Sequence, residues 1–343
     1  MKLARVLSIL LQILVGLVVV AAAGGIAFAL APRAQLPAGW TVLHTPADVN
    51  ALLEMGDSLW CGGRDGLVVL ERAGGNALPP PVGAENLRYI YALAAGGGQV
   101  FVGHEDGLSI YAGGNWRTYT TGDGLPDNRV LALWLDPGGV VWAGTERGLA
   151  RLQDGQWQVF SRTQGMASDR VFALLQDHAG RFWAGSGLDT ASAGVSVFES
   201  GAWQVVSTAD GLPHPMVNAL LQAQDGALWF AAGNAGRGAA ARWDGQTWRT
   251  LTARDGLAAD HSRSLFQERS GALWIGSESA GIARQDGNKW RVITDLDGLA
   301  GLEVKAALED VDGNLWLGTE RGLTRIDASA RAGLAQVGRV LAP

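Results

Sequence analysis

Six tryptophans and one phenylalanine set the scale of this chain. The intervals along Trp60, Phe101, Trp142, Trp183, Trp229, Trp274 and Trp316 are 41, 41, 41, 46, 45 and 42. In a second column, Trp116, Trp157, Trp203, Trp248 and Trp290, each member precedes the next of the first by the same interval, 26. Trp40 joins it, ahead of Trp60. Twelve of the 14 tryptophans therefore sit on two columns of one repeat. A period near 42 in seven copies is the mark of a propeller array, whose units bury their faces only against their neighbours.

Each copy divides into four short strands separated by turn residues. In the third copy strand a is RVLALWL (129–135), strand b VVWAGT (140–145), strand c LARLQ (149–153) and strand d WQVFS (157–161). Val, Ala and Leu recur in strand a (Val130, Ala132 and Leu133; Val171, Ala173 and Leu174), as expected of a blade packed on both faces. The ends complement each other. The last copy supplies strands a to c and no strand d, while GWTVLHT (39–45) is an orphan strand carrying a d-column Trp. The spacing predicts an all-β, seven-bladed β-propeller over 39–327, closed by an N-terminal outer strand, which removes the edges of an open array. NALPPPVG (76–83) stands where strand d of the first copy belongs; its prolines suit an outer edge strand.

Before the repeats, residues 6–31 carry no charge over 26 positions. About 20 apolar residues suffice to cross a bilayer, so one transmembrane helix, a signal anchor, is expected ahead of the propeller. Lys2 and Arg5 precede it and only Arg33 follows closely. The positive-inside rule puts residues 1–5 in the cytoplasm and everything after the 32–38 linker outside. Ala27-Phe28-Ala29 also resembles a cleavage site, which would release the propeller as a secreted form. Residues 328–343 form a tail that is read as a short helix or as a segment along the last blade.

Composition narrows the function. Net charge is −6 with pI about 5.4 and no basic stripe, which argues against nucleic acid. Five His and one Cys leave little room for a zinc site, and a lone Cys forms no internal disulfide. No metal or cofactor is expected. DVDGN (310–314) lacks the spacing and terminal Glu of an EF-hand loop and reads as an a–b turn. Cys61, in a column otherwise held by Val102, Ala143, Ala184, Ile275 and Leu317, reads as a buried small hydrophobe. GTERGL occurs twice, at 144–149 and 318–323, and reads as a b–c hairpin whose Glu-Arg pair faces water.

The copies DRVFALLQDHAGRFWAGS, NRVLALWLDPGGVVWAGTERGLARL and AALEDVDGNLWLGTERGLTRI, with D-G-L after strand d, resemble the two-component regulator propeller repeat over roughly residues 39–327. That resemblance implies a sensor-type module outside the membrane that binds saccharide-like or other small signals. The sequence contains no kinase or receiver segment, so the reading is a membrane-anchored sensor or adaptor whose output depends on a partner such as a sensor kinase. A protein-interaction scaffold at the cell surface is one alternative. The other is a lyase similar to the streptogramin-lyase propellers, with His214 and His261 as the candidate bases.

Irregularity points to where a ligand would sit. The b–c connections of copies four and five, SGLDTASAG and AAGNAGRGAA, are longer than the rest, and insertions on one face mark a binding face. The same face receives the starts of strands a, with Arg129, Arg170 and Lys305 near them. The expected site lies over blades four to six and uses Asp189, Thr190, His214, Asn234, Arg237, His261 and Arg263. Its cations are expected to favour a carboxylate or phosphate on the ligand.

Overall fold

The computed structural model describes residues 36–136, 138–187 and 194–341. They form seven antiparallel sheets in a ring, each successive sheet packed on the next. Blades one to three have strands a to d at Val49–Met55, Ser58–Gly63, Gly66–Glu71 and Ala77–Leu78; Ala92–Gly96, Gln99–His104, Gly107–Ala112 and Asn115–Tyr119; and Val130–Leu135, Val141–Thr145, Gly148–Gln153 and Gln156–Phe160. Blades four and five follow at Val171–Gln176, Phe182–Ser186, Val195–Glu199 and Ala202–Val206, then Val217–Gln222, Leu228–Asn234, Arg237–Trp243 and Trp248–Leu251. Blade six comprises Ser262–Gln267, Leu273–Ser277, Ile282–Asp286 and Lys289–Ile293. Blade seven has Val304–Glu309, Leu315–Thr319 and Gly322–Ile326, and its fourth strand is Trp40–Leu43.

That last pairing runs Trp40↔Ile326 to Leu43↔Leu323, so the ring closes with the N-terminal strand outermost, as the two sequence ends require. The first-blade outer strand shrinks to Ala77–Leu78, because the prolines that follow it have no N–H to give to a ladder. The tail does something the sequence did not specify. Ala328–Gln336 is a 3-10 segment, after which Arg339–Val340 pairs with Lys289–Ile293 and makes blade six five-stranded.

The repeated motifs are packing devices. In W-x-G, the Gly lets the next blade approach: a Cβ on Gly318 would stand 2.7 Å from Val49 Cγ1, across the closure seam. The D-G-L segment after strand d is a capped turn. In blade three, Ser161 and Gln164 satisfy each other's backbone N–H groups, and Met166 then plugs into the core. Gly211, in the equivalent turn of blade four, has φ +120° and leaves 2.5 Å between a would-be Cβ and Trp248, so only glycine fits. Asp310 accepts from the backbone of Asp312 and Asn314 and from the Trp316 indole at 2.9 Å. Its carboxylate is spent on holding a turn and a ruler Trp. Cys61 is fully buried, which raises its thiol well above the ordinary value.

The expected transmembrane segment, residues 6–31, lies outside the described residues. No helix among the described residues is long and apolar enough to cross a membrane.

Candidate functional site

Six blades share a fault at the start of strand a. Pairing with strand b slips by one residue between Val49 and Ala51, Val130 and Ala132, Val171 and Ala173, Val217 and Ala219, Ser262 and Ser264, and Val304 and Ala306. A bulge of this kind re-aims the residue it strands. The stranded residues are Asn50, Leu131, Phe172, Asn218, Arg263 and Lys305; blade two has no slip, and Tyr91 takes the place. All seven line one cavity of about 270 Å³, completed by Arg129, Glu146 and Arg170. One residue from every blade reaches it, so it lies on the ring axis.

The face is the one that carries the b–c hairpin tips, since Glu146 from such a tip meets Arg129 and Arg170 at the starts of two strands a. Two charged clusters divide the rim. In the first, Arg129 Nε lies 3.0 Å from Glu105, and its Nη atoms donate to Glu146 at 3.1 Å and to the Tyr91 hydroxyl at 2.9 Å. Tyr91 in turn donates to Glu105 at 2.5 Å. Burial and that bond to Glu105 raise the phenol, so it stays a neutral donor at neutral pH. Arg170 Nη2 donates to the same Glu146 oxygen at 2.9 Å, and its guanidinium lies over the Phe172 ring. In the second cluster Lys305 pairs with Asp48 and, at 3.3 Å, with Glu303, which also faces Arg263 at 3.5 Å.

Between the clusters sits Asn218. Its Nδ2 donates to the carbonyls of Gly233 and Ser262, both at 2.9 Å, while its buried Oδ1 has no partner among the described residues. The described rim thus holds four cations and four carboxylates, all paired. An anionic ligand at this rim would have to displace a carboxylate already seated, at a desolvation cost.

The two GTERGL hairpins also part company. Arg147 faces water as expected, but Glu146 is mostly buried between two arginines. Glu320, in the same hexapeptide, accepts from the backbone N–H of Leu302 and Glu303 at 3.1 and 2.9 Å and serves the turn ahead of strand a.

Of the residues expected from sequence, Arg263 lines the cavity. His261 is buried behind it, with Nε2 3.3 Å from Ser279 Oγ and 3.7 Å from Glu278. His214 Nδ1 accepts from the Met216 N–H at 3.1 Å. Asn234 and Arg237 end and begin the two central strands of blade five, with Arg237 exposed. The long b–c connection there is no loop, because Ala235 and Gly236 make a two-residue turn at positive φ and the strands simply extend. Asp189 and Thr190 lie outside the described residues. The ring of stranded residues was missed, although its signal was present as the variable x of V-x-A-L in strand a.

Comparison with known proteins bears on this geometry. Residues 298–321, from the capped turn after blade six to the b–c hairpin of blade seven, match the model of the two component regulator propeller. That segment is one copy of the repeat. No curated protein sequence matches it at a significant level. Among solved structures, this chain is similar to the extracellular domain of a protein described as a hybrid two component system, BT3049 of B. thetaiotaomicron. The TM-score is 0.73 at 16% identity, over 88% of this chain and 42% of that one. A second such domain from the same organism, BT4673, gives 0.68 at 16% identity over 84% and 40%. Virginiamycin B lyase from Staphylococcus aureus, a catalytically inactive histidine variant with quinupristin, gives 0.64 at 14% over 83% and 98%. The chain spans less than half the length of the first two. At these identities the likeness concerns the fold.

Proposed function

We propose that this propeller is an extracytoplasmic sensor or adaptor module that holds a small, neutral, hydroxyl-bearing ligand in the axial cavity. The observation that carries the reading is divergence within the repeat. The core columns repeat the same residue types, whereas the seven axial positions hold Asn, Tyr, Leu, Phe, Asn, Arg and Lys. Packing alone gives no reason for that asymmetry. A neutral polyol of saccharide type can donate to the carboxylates, accept from Asn50 and the cations, and lie on Tyr91 or Phe172 without breaking the balance of charge. The open acceptor of Asn218 suits a hydroxyl donor. The extended blade-five hairpin leans on His261, so Asn234, Arg237, His214 and His261 belong in this proposal as an outer wall beside Arg263, and Asp189 and Thr190 stay in it on the sequence pattern alone. Extracytoplasmic placement rests on the charge pattern around residues 6–31 and on the fold likeness to extracellular domains.

The test is binding of monosaccharides and of matched small carboxylates, followed by ligand-observed NMR and thermal shift. A neutral sugar is expected to bind, and Phe172→Ala or Asn218→Ala to weaken it by about tenfold or more. A carboxylate bound in its place, or affinity untouched by both variants, would sink the placement. A lyase is supported less well, since neither His214 nor His261 lines the cavity. A scaffold role meets another obstacle: the large exposed apolar side chains, such as Val82, Leu296 and Val311, are scattered over separate blades.

A further inference from the structure

The opposite face carries a second cavity, a cleft of about 520 Å³ between blades five and six, which falls within the usual range of small-molecule sites. The repeat departs from its pattern there in strand c, beside an a–b turn that lacks a carboxylate. In strand c, one position per blade packs on the strand-b aromatic of the blade before. Leu70 meets Trp316, Tyr111 meets Trp60, Leu152 meets Phe101, Phe198 meets Trp142, Trp243 meets Trp183 and Ile326 meets Trp274. In blade six that position is Gln285, and the space beside Trp229 stays open. In the a–b turns, Asp177, Glu268 and Asp310 each accept the indole N–H of their blade's ruler Trp. Blade five has Ala223 instead, and Trp229, like Trp60 and Trp142, has no indole acceptor among the described residues. Gln285, Ala223 and Trp229 all line the same cleft.

The walls are built from planar polar groups over an apolar floor. Gln285 and Asn288 present carboxamides, each with a donor beside an acceptor, above Leu251 and Leu273, whereas Gln267 is bonded at both ends and Gln224 through its Nε2 to neighbouring backbone. Arg242 is paired to Asp225 at 2.9 Å, so no strong charge is left over except the exposed Arg249. The outer edge of blade six, where an extended peptide would find a backbone ladder, is already taken by Arg339–Val340. We infer that this cleft is a second binding site, for a neutral oligosaccharide whose hydroxyls match the carboxamides of Gln285 and Asn288. It does not rest on the reading of the axial cavity.

The experiment titrates the purified full chain with maltotriose, cellotriose, xylotriose and chitotriose in turn. At least one should bind, and Gln285→Leu, which restores the apolar filler of the other blades, should weaken it by about tenfold or more. Ala223→Asp, which gives Trp229 the kind of acceptor that blades four, six and seven supply, should fill the cleft and weaken it as well, while Arg263→Ala in the axial cavity should leave it unchanged. If Gln285→Leu lowers the melting temperature, Ala223→Asp decides. The inference is overturned if none of the four binds, if binding survives both refilling variants, if Arg263→Ala abolishes it, or if an acetylated pentapeptide binds in the sugars' place.

Discussion

Trp40→Ala should lower the unfolding free energy by about 3–5 kcal/mol, the cost of deleting a large buried aromatic. Trp40 is 6% exposed and packs in the cluster of Leu315, Ile326 and Leu334, between blade seven and the tail. It is also the first residue of the closing strand, paired with Ile326. Its loss therefore removes core volume and loosens the strand that joins the two ends of the array. The comparison that isolates closure is Trp116→Ala, a half-buried member of the same column inside blade two. Urea unfolding should show a clearly larger loss for Trp40→Ala, together with faster proteolysis. Equal losses would mean that the ring is held shut by something other than this strand.

The tail is expected to matter nearly as much. Arg331 donates to Glu268 at 2.5 Å, to Glu309, and to the Gly313 carbonyl at 3.2 Å, tying the tail to blades six and seven. Glu268 is 1% exposed and also accepts from Trp274 and Arg284. Removing one partner of a buried ionic network leaves charge uncompensated, typically about 3–5 kcal/mol. Arg331→Ala should fall toward the lower figure, because Arg284 still faces Glu268 and Arg269 still faces Glu309. A pH signature accompanies it. Burial works to raise the Glu268 carboxyl, but bonds from Arg284, Ser270, Arg331 and Trp274 outweigh it and bring it to about 2, from an ordinary 4.5. A depressed carboxyl contributes fully above 4.5 and loses its contribution as pH falls through 2. The stability gap between the native chain and Glu268→Gln should therefore shrink as pH drops from 4.5 toward 2. A gap constant over that range would show that Glu268 is not the group being titrated.

The architecture was legible because blade packing demands a large aromatic at one fixed place in strand b. Trp142 and Trp316, in blades three and seven, betray the same unit inside the same hexapeptide context. The axial cavity was not legible, for a local reason. In a regular strand the x of V-x-A-L would point to a sheet face, and only the slip in pairing turns Phe172 or Lys305 toward the axis. The two GTERGL copies show a second limit: the same six residues make a rim ion pair or a turn brace according to what lies opposite. Opposite Glu146 are Arg129 and Arg170; opposite Glu320 are two backbone N–H groups. Length misled in blade five, where extra residues meant longer strands rather than a loose loop, since Ala235-Gly236 already supplies the tight turn. Gln285 stands in plain view in the sequence, yet its oddity appears only once strand c is aligned by register.

Closure by the first strand also fixes an order of events. Trp40 and Ile326 are partners from opposite ends of the propeller, with six whole blades between them in the chain. Bringing such distant segments together carries a loop-closure cost that contacts inside each blade do not share. A chain made from its N-terminus emits Trp40–Leu43 before anything it can pair with exists. The six blades that need no distant partner can assemble in turn, while the seventh waits for both of its halves. The earliest strand to be synthesised is the last to be placed, and until then blade seven presents an open edge to whatever β-strand comes near.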